Sequence, residues 1–392
     1  MLQYKPLNKA EEEIRLLRLQ PPKPLQVGDR AELRARSSCW QMEHCSIKNP
    51  MNLPKLSNLD WASNTETLSP PGHLDWRYPW GDYVALSYTW GDHHNMANVE
   101  IDGCQVAVRS NLRNVLQILA DKAPIVAGLR IWIDALCINQ DDSKERQREV
   151  SRMRDIYERA RDIVVWLGET ADRSDSAMRL IQSLSRSCED GTAESLGVRL
   201  KNDPDLLGTG CWSALGQLMN RPYWNRLWIM QEIAMGSVST PILCGRECVS
   251  WGDVFHAIFT FIVSNDDIVF NLVQNECHHS IEGFRYSGLN RNRIIHFMNQ
   301  QRALGTKENQ HSYSQFMPLL DLARKALATD PRDKVYGLLG LMGTTLASKV
   351  AISYVAATRD VYVSFTRAMV YAGKIPTSQL RRRHKFTCHY RG

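Results

Sequence analysis

Ile131 to Gly168 constrains this chain more than any other stretch. It reads as an apolar run, a polar elbow, a long amphipathic helix and a second apolar run. That order predicts a strand–loop–helix–strand unit, with a right-handed crossover as the default connection. Asp142 followed three places later by Glu145 has the form of a capping box, so Asp142 is expected to accept from the first turn and Glu145 to reach back. Val150, Met153, Tyr157 and Ala160 then mark one apolar face, and Arg146, Arg148, Arg152 and Arg159 a polar one. Ile163–Leu167 is β-branched and unbroken, as in a strand covered on both faces. The elbow after the first strand holds Asp134, Cys137, Asn139, Gln140, Asp141 and Asp142. Open α/β sheets place ligand sites at the carboxyl ends of buried strands.

Similar elements recur along the chain. Glu13–Leu19 alternates and predicts a strand added to the main sheet, stopped by Pro21, Pro22 and Pro24. Residues 49–79 read as an irregular loop. Tyr83–Tyr88 is the first strong strand, ending in the elbow Thr89-Trp90-Gly91-Asp92. Val99–Val108 predicts a hairpin turning at Asp102-Gly103. Asn111 is placed to cap a helix over 112–119. Helices are expected at about 177–184, 252–263 and 314–328, with a surface insertion over 188–210. Residues 220–232 predict a short turn and then a helix; 241–248 resembles a strand. Residues 264–312 lack periodicity, and Asp330–Asp333 leads into a helix or turn over 335–341. The expected fold class is α/β, with a mostly parallel central sheet, flanking helices and a helical C-terminal extension. The divisions drawn are a lead-in over 1–79, a core over 80–250, a helical remainder over 251–345, and an extension over 346–392 with a basic tail that reads as truncated or frame-altered.

Charge and cysteine content narrow the function. The net charge is +6, but Arg381, Arg382, Arg383, Lys385 and Arg391 crowd the last twelve residues; without them 43 basic residues face 42 acidic ones. A nearly neutral body gives no basis for specific nucleic-acid binding. No apolar stretch approaches the ~20 residues of a membrane span, and the N-terminus has no signal-peptide core; cytoplasmic residence is the expectation. Ten scattered cysteines fit a reduced protein better than a disulfide framework. Cys244 and Cys248 could be drawn with Cys277, His278 and His279 as a zinc site, but the spacing is irregular, and no metal is expected. Phosphate-loop, G-x-S-x-G, H-E-x-x-H and G-x-G-x-x-G patterns are absent from the expected places.

Three polar elements are left that parallel neighbouring strands would bring together. They are Ser87-Tyr88-Thr89-Trp90-Gly91, then Asp134 with Asn139 and Gln140, then Arg226-x-Trp228-x3-Glu232. On a helix, Trp228 and Glu232 share a face, and Trp228 would keep water from Glu232 and raise its pKa. Each element has a structural reading as well. Ser87, Tyr88 and Trp90 would finish a strand, Asp134, Asn139 and Gln140 would shape a loop, and Arg226–Glu232 would be an ion pair. Glu145 is read as a cap rather than a catalyst.

These blocks resemble the fungal heterokaryon incompatibility (HET) domain. The resemblance rests on Tyr83-x-Ala85-Leu86-Ser87-Tyr88-x-Trp90-Gly91, on Trp132-Ile133-Asp134-Ala135-x-Cys137-Ile138-Asn139-Gln140, on Glu145-Arg146, Met153-x-x-Ile156-Tyr157-x-x-Ala160 and Val165-Trp166-Leu167-Gly168. Arg221-Pro222-Tyr223-Trp224-x-Arg226-x-Trp228-x-x-Gln231-Glu232 resembles a third block, and the Asp330–Leu341 segment one that commonly follows. The resemblance implies a part in fungal nonself recognition and programmed cell death. It also implies a TIR-like outline, in which Glu232 would be the catalytic residue of NAD⁺ cleavage. Ser87, Tyr88, Trp90, Gly91, Asp134, Asn139, Gln140, Arg226 and Trp228 would then bind substrate, with NAD⁺ as substrate and no resident cofactor. Self-assembly and an incompatibility partner protein are the expected partners. The rival readings are a non-enzymatic death-fold module that recruits partners and a degenerate copy. Fold alone does not decide among them.

Overall fold

A computed structural model describes residues 2–21, 38–51, 61, 76–189, 210–263, 313–342 and 347–371. Expectations for most of 52–75 and 189–209, for 264–312 (Cys277, His278 and His279 included) and for the basic tail fall outside these residues.

Among the described residues nine strands form one sheet: β1 (Glu13–Leu19), β2 (Cys39–Ser46), β3 (Tyr83–Tyr88), β4 (Met96–Ile101), β5 (Cys104–Arg109), β6 (Arg130–Trp132), β7 (Ile163–Trp166), β8 (Pro241–Cys244) and β9 (Glu247–Ser250), in the order β5-β4-β2-β1-β6-β3-β7-β8-β9. The α/β class is as expected, but the sheet is not mostly parallel. Its centre, β6-β3-β7-β8, is parallel, as is the short β2–β4 pairing. The four other pairings are antiparallel. Hairpins cause most of the difference. Asp102 and Gly103 both have positive φ, +51° and +73°, which a two-residue hairpin turn requires, and this forces β4 and β5 to run antiparallel. A second hairpin, β8–β9, closes the other edge. The lead-in contributes two interior strands. β1 was legible in its alternation; β2 was not.

The helices among the described residues are α1 (Ser110–Ala120), α2 (Ala123–Val126), α3 (Asp134–Cys137), α4 (Ser143–Arg159), α5 (Ser174–Glu189), α6 (Cys211–Met219), α7 (Ile229–Ala234), α8 (Trp251–Val263), α9 (Tyr313–Lys325), α10 (Asp333–Leu339) and α11 (Thr358–Tyr371), with a 3-10 turn at Pro222–Asn225. None is long and apolar enough to cross a membrane. Every residue of β3, β6, β7 and β8 is buried, which explains their continuous apolar runs. Helix α4 lays Met153, Ile156 and Tyr157 on this layer. Asp142 caps α4 as expected, accepting from the Lys144 and Glu145 N–H groups. Glu145 does not close the box. It accepts from the Asn139 N–H at 2.8 Å and from Arg15 at 2.5 and 3.0 Å. Asn111 is not a cap either: α1 starts after Arg109 without a side-chain cap. Asn111 instead donates to the Thr89 carbonyl at 2.6 Å and accepts from the Trp166 indole at 2.8 Å, tying the elbow after β3 to the end of β7.

Candidate functional site

β3 delivers Ser87 and Tyr88 to the carboxyl end of the parallel block. The chain then turns through Thr89, Trp90 and Gly91. Gly91 has φ +85°, and a Cβ there would lie 3.2 Å from that of Asn111, so both conformation and space favour glycine. Arg109 donates to the Gly91 carbonyl at 2.7 Å and its guanidinium lies 5.2 Å from the centre of the Trp90 ring. From the neighbouring strand, β6 leads into α3. Asp134 opens α3, accepting from the Ala135 N–H at 2.7 Å and from the Trp90 indole at 2.9 Å. The first two polar elements therefore do meet, through Trp90 and Asp134.

The third element arrives from the segment before β8. The 3-10 turn buries Tyr223, and α7 buries Glu232. The Ser87 hydroxyl donates to Glu232 Oε2 and lies 2.7 Å from the Tyr223 hydroxyl. Arg226 reaches both Glu232 oxygens, at 3.2 and 3.4 Å. Glu232 faces the same strand end as Ser87. It is also closed off: its side chain is 1% exposed, and that of Arg226 18%.

Electrostatics bind this cluster together. Burial raises the Glu232 pKa, Arg226 and Ser87 pull it back only in part, and Asp134 adds to the rise. Burial raises Asp134 too, against the opposing charge of Arg226 and the Trp90 hydrogen bond. Burial opposes the charge of Arg226, but Glu232 and Asp134 outweigh it and keep the guanidinium protonated. Two carboxyls thus share one cation, and burial favours the protonated form of each. Burial also raises the hydroxyls of Tyr88, Tyr157 and Tyr223; Asp134 adds to the rise at Tyr88, Glu232 at Tyr223, and both carboxyls at Tyr157.

Some expected members stand elsewhere. Trp228, expected to lean over Glu232, lies near Asp333 on α10 and favours its charged form against burial. Asn139 accepts from the Asp141 N–H at 3.2 Å, and Gln140 donates to the Asp134 carbonyl at 2.8 Å; both shape the loop. Tyr223 was visible only as part of an aromatic-rich block. Tyr157 read as an apolar-face residue, although its hydroxyl donates to the Leu86 carbonyl at 3.2 Å. Arg15, 130 residues from Glu145, gave no local signal. Among the described residues, Asp92, His93 and His94 could group metal-ligating atoms, but all three are exposed. Cys244 and Cys248 lie on opposite strands of the β8–β9 hairpin, where Cys248 faces Leu243 and Cys244 faces Glu247.

Residues 83–232, which span the whole network from β3 to Glu232, match the family model described as heterokaryon incompatibility protein (HET). The chain is also 27% identical over 342 residues to heterokaryon incompatibility protein 6, OR allele, of Neurospora crassa, across 78% of this chain and 48% of the relative. It therefore spans about half the length of that curated relative. No solved structure matches. The resemblance to the HET domain read from the motifs is borne out by these two matches; the TIR-like outline is not among what they match.

Proposed function

We propose that this chain, whose residues 83–232 carry the HET family signature, acts in fungal nonself recognition and triggers cell death by cleaving NAD⁺ at the Glu232 cluster. The observation that supports this reading is the meeting of Ser87, Tyr223, Arg226 and Glu232 at one strand end, beside Asp134 and Trp90. In the reaction, the bond between the ribose C1′ and the nicotinamide nitrogen breaks, and the electron pair leaves with nicotinamide. Glu232, as a carboxylate, stabilises the oxocarbenium-like centre, as carboxylates do in glycoside cleavage. Water adds at C1′ and loses a proton, giving ADP-ribose. Ser87 holds the carboxylate in place, and Trp90 offers a face for stacking.

The closed setting of Glu232 gives this reading its regulation. Arg226 is the partly exposed member, so self-assembly would open the cluster by displacing it, and the isolated protomer would stay quiet. A rise in the Glu232 pKa places the acid limb of activity above the ordinary carboxylate range, since only the ionised form works. Nicotinamide release by concentrated, assembled protein tests the proposal. Glu232→Gln is expected to lower turnover by at least about 10²-fold, the scale of a lost transition-state contact. Intact NAD⁺ with assembled wild-type protein would overturn the enzymatic reading.

One observation favours a second reading. Both Glu232 oxygens are already engaged, and the side chain is almost fully enclosed. In that case the cluster is a structural clamp, the elbows recruit a partner protein, and Glu232→Gln leaves cell killing intact.

A further inference from the structure

The Arg226–Glu232 element is held by residues outside the matched stretch 83–232. Leu327, just past the end of α9, pairs with the backbone on both sides of Arg226. Its N–H donates to the Asn225 carbonyl at 2.7 Å, and its carbonyl accepts from the Leu227 N–H at 2.9 Å, an isolated parallel bridge centred on Arg226. The Leu327 side chain is 66% exposed. What this residue supplies is therefore its backbone, not apolar burial.

Helix α10 braces the same element from a second direction. Gly337 lies inside that helix, where alanine is the better helix former. A Cβ there would come within 2.9 Å of Leu227 Cδ2 and 3.0 Å of its Cγ. One on Gly340 would come within 2.5 Å of Gln231 Cδ. Without those side chains α10 approaches closely enough for the buried Gln231 amide to donate to the Tyr336 and Gly337 carbonyls, at 3.1 and 2.9 Å. Leu227 and Gln231 adjoin Arg226 and Glu232 in the chain, so these contacts fix the backbone from which both charged side chains start. The contacts between the two, at 3.2 and 3.4 Å, are already at the long end for hydrogen bonds. A small shift of either backbone breaks them.

We propose that the segment from Leu327 to Gly340 is the positioning device that keeps Arg226 on Glu232, and that displacing it frees the carboxyl group for reaction, a step that rests on Glu232 as the centre of NAD⁺ cleavage. Carbon-13 carboxyl titration of the full chain tests the positioning, with the Glu232 resonance identified by its loss in Glu232→Gln. Leu327→Pro removes the N–H that reaches Asn225 and no buried side chain. Arg226 should then draw back, and the Glu232 midpoint should rise by about one pH unit as the opposing charge recedes. Asp134, Tyr157 and Tyr223, the other titratable groups coupled to Glu232, are left in place. Leu327→Ala keeps the N–H and should titrate like wild type. Gly337→Ala presses on Leu227 from the α10 side and should move the midpoint in the same direction; it decides the matter if Leu327→Pro fails to fold. The Glu145 midpoint should hold in every variant, which a general loosening of the fold would not allow. An unchanged or lowered Glu232 midpoint in folded Leu327→Pro or Gly337→Ala overturns the proposal, as does an equal rise in Leu327→Ala or a moving Glu145. Nicotinamide release, measured above the raised midpoint, tests the freeing step. Dilute, unassembled Leu327→Pro should release it at least about tenfold faster than dilute wild type. If assembled wild type cleaves NAD⁺ and dilute Leu327→Pro gains nothing, the freeing step is overturned. If assembled wild type leaves NAD⁺ intact, the enzymatic reading falls, and the titration still decides the positioning.

Discussion

Arg15 and Glu145 meet beside β6; Arg226 and Glu232 meet beside β3. Both are buried arginine–glutamate pairs near the carboxyl ends of the central strands, yet their carboxyl groups shift in opposite directions. At Glu145 burial pushes the pKa up, but Arg15 in fork geometry at 2.5 and 3.0 Å, with the Asn139 N–H, more than reverses it. At Glu232 the arginine contacts are longer, 3.2 and 3.4 Å, and a second carboxyl, Asp134, works against them; burial wins. Burial alone therefore does not decide the character of a buried pair. The first pair fastens the loop after β6 to β1, and the second holds a carboxyl group whose ionisation burial opposes.

The sharpest way to break this contrast is to remove the arginines. Arg15→Met leaves a carboxylate and the Cys137 and Lys5 carbonyls without their donor, and should cost about 3–5 kcal/mol in denaturant unfolding, the scale for one half of a buried pair. Arg226→Met should cost less, about 1–3 kcal/mol, because Glu232 can take up a proton and keep its bond to Ser87. Equal losses would erase the distinction. Acid titration of stability sharpens it further. Glu145, lowered in the fold, contributes stability above its unfolded value near 4.5, and this is lost as pH falls through its folded pKa. Glu232, raised in the fold, contributes stability below about 4.5 that is lost as pH rises through its folded pKa. Urea unfolding from acid to neutral pH should show Glu145→Gln removing the first dependence and Glu232→Gln the second. The smallest expected effect is the stability change of Glu232→Gln at neutral pH, within about 1 kcal/mol, since the neutral amide suits a site that already resists charge.

Local pattern carried most of the fold. β3, α4 and β7 follow directly from apolar runs, the Asp142 cap and helical periodicity, and the β4–β5 hairpin from Asp102-Gly103. β2 escaped because its buried and exposed positions do not alternate cleanly, and its partner is fixed by β1 rather than by its own turn. The candidate site was legible as three elbows. Their convergence depended on strand order, which placed Ser87 beside Glu232. What stayed hidden was partner choice across long separations: Arg15 for Glu145, Asn111 for Trp166, Asp333 for Trp228. Each of those side chains had a plausible local role, and tertiary contacts overrode it.

The strand order also sets a timetable. β3 lies between β6 and β7, and β8 lies outside β7, so every central neighbour of β3 is made after it. Ser87 and Glu232 are 145 residues apart. At ordinary rates of synthesis, the serine leaves the ribosome roughly 7–30 s before its carboxyl partner. For that interval the nascent chain holds Ser87, and later Asp134, without the arginine and glutamate that complete the cluster, and the network closes only after translation has passed α7.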